Sequence, residues 1–206
     1  MNLMSALREH RLLAIVRGPD PAAALAAVLT LADSGVALIE VSLTGAEALE
    51  TVRRARATLG DGFALGVGTV LSVLDAQRAT EAGASFLVTP AIAPSVDESS
   101  LLGIPVLAGA LTPSEVVQAV SAGAAAVKLF PASLGGPSYL SALRDPFPSV
   151  AFVPVGGVDA TSARSYMDRG AVAVGVGSPL LGDAARGGDL SALRDRVAEF
   201  RAAVAP

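Results

Sequence analysis

The chain has 206 residues, 52% of them hydrophobic but only 4% aromatic, with a formal net charge of -4 and a pI near 5.0. That length suffices for one α/β domain with a core of small aliphatic side chains, and an acidic balance without any basic cluster speaks against nucleic-acid binding. With no cysteine and a single histidine, His10, there is no disulfide framework or thiolate nucleophile, and a His-rich metal site or a Ser-His-Asp triad is hard to build.

The opening "MNLMSALREHRLL" predicts a short leading helix with His10 solvated near its end. It lacks the basic-then-apolar pattern of a secretory signal, and the apolar runs are too often broken by Gly, Pro or charge to span a membrane. The expectation is a soluble cytoplasmic protein. Eight apolar runs then predict strands at residues 12–17, 37–43, 64–70, 85–90, 105–111, 125–131, 152–157 and 172–178. They are mostly continuous rather than alternating, as in parallel strands covered on both faces. Segments such as "PAAALAAVLTLADS", "GAEALETVRRARATL", "LSVLDAQRATEA", "TPSEVVQAVSA" and "DATSARSYMDR" lie between them with apolar residues at helical spacing. At four junctions a helix ends on Gly35, Gly83, Gly123 or Gly170, where the left-handed conformation suits glycine, and a strand begins within two residues. Eight βα units without a linker predict a single-domain (β/α)8 TIM barrel over residues 1–206. An open doubly wound sheet is the alternative, since strand count does not prove closure.

A parallel barrel builds its active site at the C-terminal strand ends and the loops after them. The ionisable side chains expected there are Arg17, Glu40 and Lys128. Lys128 is the only lysine among fifteen basic residues, the other fourteen being arginine. Glu40 and Lys128 could form a structural ion pair inside the barrel, yet a structural cation in this chain would more naturally be arginine, whose guanidinium suits a buried bidentate pair. Lysine can lose its proton when desolvated, attack a carbonyl and form a Schiff base, which arginine cannot. Gly156 and Gly157 at the end of the seventh strand, with Gly177 and Ser178 at the end of the eighth, suit a phosphate held by backbone N–H groups; tight turns are the plainer alternative. "LGVGTV" is no dinucleotide fingerprint. Its glycines are expected to let a substrate approach the backbone, with Thr69 offering a hydroxyl.

The motifs "IEVSLT" (39–44), "GVGTVL" (66–71), "VTPAI" (88–92), "VKLFPAS" (127–133) and "VGGV" (155–158) together resemble the class I KDPG/KHG aldolases, in order along nearly the whole chain. The resemblance implies a TIM barrel cleaving a 2-keto-3-deoxy-6-phospho sugar acid, and possible action on 4-hydroxy-2-oxoglutarate, without metal or cofactor and as a homotrimer. By resemblance Lys128 forms the Schiff base and Glu40 moves protons. Thr69, Pro90 and Phe130 line the pyruvate pocket, while Gly156, Gly157, Gly177 and Ser178 hold phosphate. Two positions depart from the gluconate pattern. Thr44 stands where that pattern has arginine, leaving Arg17 to bind the carboxylate, and Val155 stands where it tends to have threonine. Both are similar to the branch acting on 2-keto-3-deoxy-6-phosphogalactonate. A phosphosugar isomerase, a thiamine-phosphate-synthase-like barrel and a phosphate-sensing barrel are the competing readings.

Overall fold

A computed structural model describes residues 2–206. Its parallel strands are β1 (Leu12–Val16), β2 (Leu38–Ser42), β3 (Ala64–Gly68), β4 (Phe86–Val88), β5 (Val106–Ala110), β6 (Ala126–Leu129), β7 (Phe152–Pro154) and β8 (Val174–Val176). The helices are α1 (Leu3–His10), α2 (Pro21–Asp33), α3 (Ala48–Leu59), α4 (Val73–Glu81), α5 (Pro94–Leu101), α6 (Pro113–Ser121), α7 (Gly136–Arg144), α8 (Ala160–Asp168), α9 (Ser178–Leu181) and α10 (Leu190–Val204). The strand order runs β7-β6-β5-β4-β3-β2-β1-β8, and the seam between its ends is closed by a parallel bridge from Val155 to Gly175. The Val172 N–H adds a bond to the Phe152 carbonyl at 3.0 Å. The barrel is therefore closed, and the doubly wound alternative falls.

Alternation along the strands makes two cores. Leu13, Leu38, Phe86, Leu107 and Val153 fill the barrel interior, whose lower end is plugged by Leu3, Ala6 and Leu7 of α1. The leading helix thus acts as a stopper, with Asn2 capping it through a bond from the Ser5 N–H at 3.2 Å. The opposite strand faces, including Ile39, Leu65, Leu87 and Leu129, pack under the helices in the second core. α10 lies against both α2 and α8 and completes the helical ring after the one-turn α9.

The punctuation predicted at the αβ junctions is present, with Gly35, Gly83, Gly123 and Gly170 at φ between 83° and 96°. Each sits just past the cap residue, and the next N–H returns to the last turn, as in Val36 to Leu31 and Ala124 to Ala119, both 3.0 Å. Gly103 (φ 67°) repeats the motif after α5. At the other ends, Ser72 with Asp75, Thr112 with Glu115, and Asp159 with Ser162 form capping boxes. These caps begin α4, α6 and α8 at the end of the barrel where β3, β5 and β7 finish. The strands are shorter than predicted, because the residues carrying Arg17, Thr69, Pro90 and Phe130 lie in the loops that follow them.

Candidate active site

Alternation sends Glu40 on β2 and Lys128 on β6 into the barrel, at registers where Glu40 lies beside Gly66 and Lys128 between Gly109 and Val153. Both are buried, Glu40 to 1% and Lys128 to 5% residual exposure, and both face a cavity of about 710 Å³ at the C-terminal strand ends. Among the described residues no contact within 4.0 Å joins them as a direct ion pair. Lys128 Nζ instead stands 4.9 Å from the centroid of the Phe130 ring. Burial pushes the Glu40 carboxyl above its ordinary range, opposed by the positive charges of Lys128 and Arg17. Its Oε2 is buried without a hydrogen-bond partner. A carboxyl that holds its proton readily, aimed into a cavity with an amine, is equipped to donate and accept protons.

Glycines make this crowding possible. A Cβ on Gly68 would overlap the Glu40 carboxyl, one on Gly66 the Phe86 ring, and one on Gly109 the backbone of Pro90. The expectation for "LGVGTV" is thus corrected: these glycines admit the protein's own side chains, not substrate. Thr69 follows with φ 62°, a left-handed conformation that strains a β-branched residue. Its hydroxyl is 3.0 Å from that of Ser42, which is 2.8 Å from that of Thr44.

Every predicted site residue except Thr44 lines the cavity: Arg17, Glu40, Thr69, Pro90, Lys128, Phe130, Val155, Gly156, Gly157, Gly177 and Ser178. Thr44 is exposed outside it and reaches Thr69 only through Ser42, so its expected contact with substrate is corrected to an indirect one. Gly156 (φ 95°) and Gly157 (φ 74°) pack against Phe130 and Ser133, and no residue with a Cβ adopts those angles without strain. None of the N–H groups of Gly156, Gly157, Gly177 and Ser178 donates to a turn or loop carbonyl, which leaves them available to an anion. Sequence reasoning missed Ser42, Asp183 and Arg186 on the cavity wall. Ser42 was signalled by its even spacing from Glu40 on one strand. Asp183 and Arg186 lie beyond α9, where no periodicity marks them.

An amine and a carboxyl converge at the open end of a parallel barrel, an arrangement that suits a barrel lyase of the aldolase kind. The chain belongs to the KDPG and KHG aldolase family, whose pattern it matches over residues 3–194. It is 32% identical over 184 residues to a probable 2-dehydro-3-deoxy-6-phosphogalactonate aldolase of Rhizobium meliloti (strain 1021), covering 88% of this chain and 87% of the relative. Identity reaches 34% over 169 residues to a 2-dehydro-3-deoxy-phosphogluconate aldolase of Treponema pallidum (strain Nichols), covering 81% and 80%. A solved structure described as native KDPGal superposes with a TM-score of 0.88 at 31% identity, over 95% of this chain and 94% of that one.

Proposed function

We propose that this chain is a single-domain class I aldolase that cleaves a 2-keto-3-deoxy-6-phospho sugar acid to pyruvate and glyceraldehyde 3-phosphate. The observation that carries it is the placement of the only lysine, 5% exposed, in the cavity that also holds Glu40. The Lys128 amine adds to the C2 carbonyl, and loss of water gives a protonated imine. The C3–C4 electron pair then flows into the imine as Glu40 takes the proton of the C4 hydroxyl, so the aldehyde departs and an enamine remains. Glu40 returns that proton to C3, and hydrolysis of the imine frees pyruvate and the lysine.

Arg17 and Thr69 suit the substrate carboxylate, while Pro90 and Phe130 wall the pyruvate end. The N–H groups of Gly156, Gly157, Gly177 and Ser178 suit the phosphate. The electron sink is the imine, so the proposed chemistry asks for no metal. A triply anionic substrate is retained by a membrane, consistent with a cytoplasmic enzyme, and among the described residues no helix is long and apolar enough to cross one. Exposed Leu74, Leu101, Val117 and Val120 on α4, α5 and α6 support self-association, and the trimer follows from the family resemblance.

A second reading concerns the configuration at C4. Val155 lines the cavity and its side chain offers the C4 hydroxyl no hydrogen bond, similar to the galactonate branch. The relatives divide between the two epimers at nearly equal identity and so do not choose. A lactate dehydrogenase-coupled assay on both phosphorylated epimers and on 4-hydroxy-2-oxoglutarate decides substrate and reaction together. Pyruvate release from either phosphorylated epimer supports the proposal, and binding without pyruvate release would place the chain with the isomerases or sensors.

A further inference from the structure

The cavity continues past the strand ends to a rim formed after α9. There a 3-10 turn, Ala184–Arg186, buries Ala184 and Ala185 while Asp183 and Arg186 line the cavity. The turn is held on three sides. The Ala185 carbonyl approaches Gly18 so closely that a Cβ on Gly18 would overlap it. Arg196 donates to the carbonyls of Leu180 and Leu181 at 2.7 and 2.8 Å, and the Gly188 N–H donates to the Asp183 carbonyl at 3.1 Å. Since Gly18 follows Arg17, the loops bearing Arg17 and Arg186 are in backbone contact.

Several arginines are engaged with their own protein, as Arg11 with the Val204 carbonyl, Arg201 with that of Ser34, Arg194 with Asp33 and Arg164 with Asp168, whereas Arg17 and Arg186 in the cavity are not. The Arg186 N–H bonds the Asp183 carbonyl at 2.8 Å, but its guanidinium has neither a hydrogen bond nor an ion pair among the described residues, although Asp183 is three positions away. The Asp183 carboxyl lies over Gly188 instead, where a Cβ would overlap it. Lys128 and Arg17 are the cations whose charge acts on Glu40, and Arg186 is not among them. A free guanidinium on an anchored turn, beside the loop of Arg17, therefore lines the same cavity as Gly156, Gly157, Gly177 and Ser178.

We infer that Arg186 is a specificity residue for the phosphate, its guanidinium covering the dianion from the solvent side while the glycine N–H groups hold it from the barrel side. The inference rests on the phosphorylated substrate proposed above. A planar guanidinium grips two phosphate oxygens at once, which a lysine only partly replaces. Because Arg186 is exposed, its contribution is screened by salt and is expected at about tenfold in affinity rather than a thousandfold.

Two measurements on the full chain test it. Calorimetric titration with inorganic phosphate should show binding about tenfold weaker in Arg186→Gln than in the wild type, with Arg186→Lys between them. In steady state, Arg186→Gln should lower the ratio of kcat/KM for the phosphorylated keto acid over that for 4-hydroxy-2-oxoglutarate by about tenfold, mainly through KM. Equal phosphate affinity in all three proteins, or an equal fall on both substrates, would overturn the inference. If the glutamine variant does not fold, the lysine variant decides, since undiminished phosphate binding there also contradicts a bidentate grip. Failure of wild-type protein to form an imine with pyruvate would sink the aldolase reading instead, and the phosphate titration would still judge Arg186.

Discussion

At the scale of single residues, Glu40 shows function opposing stability. Its carboxyl has an ordinary value of 4.5, and burial raises it further than Lys128 and Arg17 lower it. Below that value the group is protonated whether the chain is folded or not. As pH rises above it, the unfolded chain ionises first, so the native state loses relative stability until the raised pKa has been passed. Glu40→Gln removes this penalty. The variant's thermal midpoint should gain on the wild type as pH rises from about 4.5, while its turnover falls by a factor of roughly 10² to 10⁴. A midpoint difference that shrinks with pH, or unchanged turnover, would count against that role. Glu40 and Lys128 were legible in the sequence because each is a lone charge within an apolar parallel strand. Arg186 was not, since its approach to the cavity depends on how α9 turns and how Gly18 receives Ala185.

At the scale of elements, β3 is shaped around its neighbours. Gly66 and Gly68 point inward, and their missing side chains admit the Phe86 ring and the Glu40 carboxyl. Gly68→Ala should fold, because the carboxyl it displaces is the far end of a flexible side chain, but its turnover should drop by at least tenfold. Circular dichroism with the coupled pyruvate assay checks this, and wild-type turnover would refute the proposed packing. The strands and the Gly-ended αβ junctions were readable because a parallel barrel imposes continuous apolar runs and left-handed turns. α5, α7, α9 and α10 were not named from the pattern. α5 alternates small polar residues, with Ser95 and Ser99 buried through bonds to the carbonyls of Val70 and Val96, so no apolar stripe announces it. α9 is a single turn of four residues, too short for any periodicity.

At the scale of the whole molecule, the barrel leaves apolar side chains in water across α4, α5 and α6. Leu101 is the extreme at 82% exposure, and Leu74, Val117 and Val120 are each about half exposed. A trimer that covers this face should dissociate when Leu101→Asp is combined with Val117→Asp, which light scattering after size exclusion reads directly. A wild-type protein that runs as a monomer would remove the trimer from the account. The central claim, that the only lysine of the chain is the nucleophile, can be tested on the intact protein, since any side-chain amine that is trapped must be Lys128. Borohydride reduction in the presence of pyruvate, followed by intact and peptide mass spectrometry, should leave one reduced pyruvate adduct on the peptide containing Lys128 and none in Lys128→Arg. An unmodified Lys128, or an adduct that persists in Lys128→Arg at another site, would contradict it.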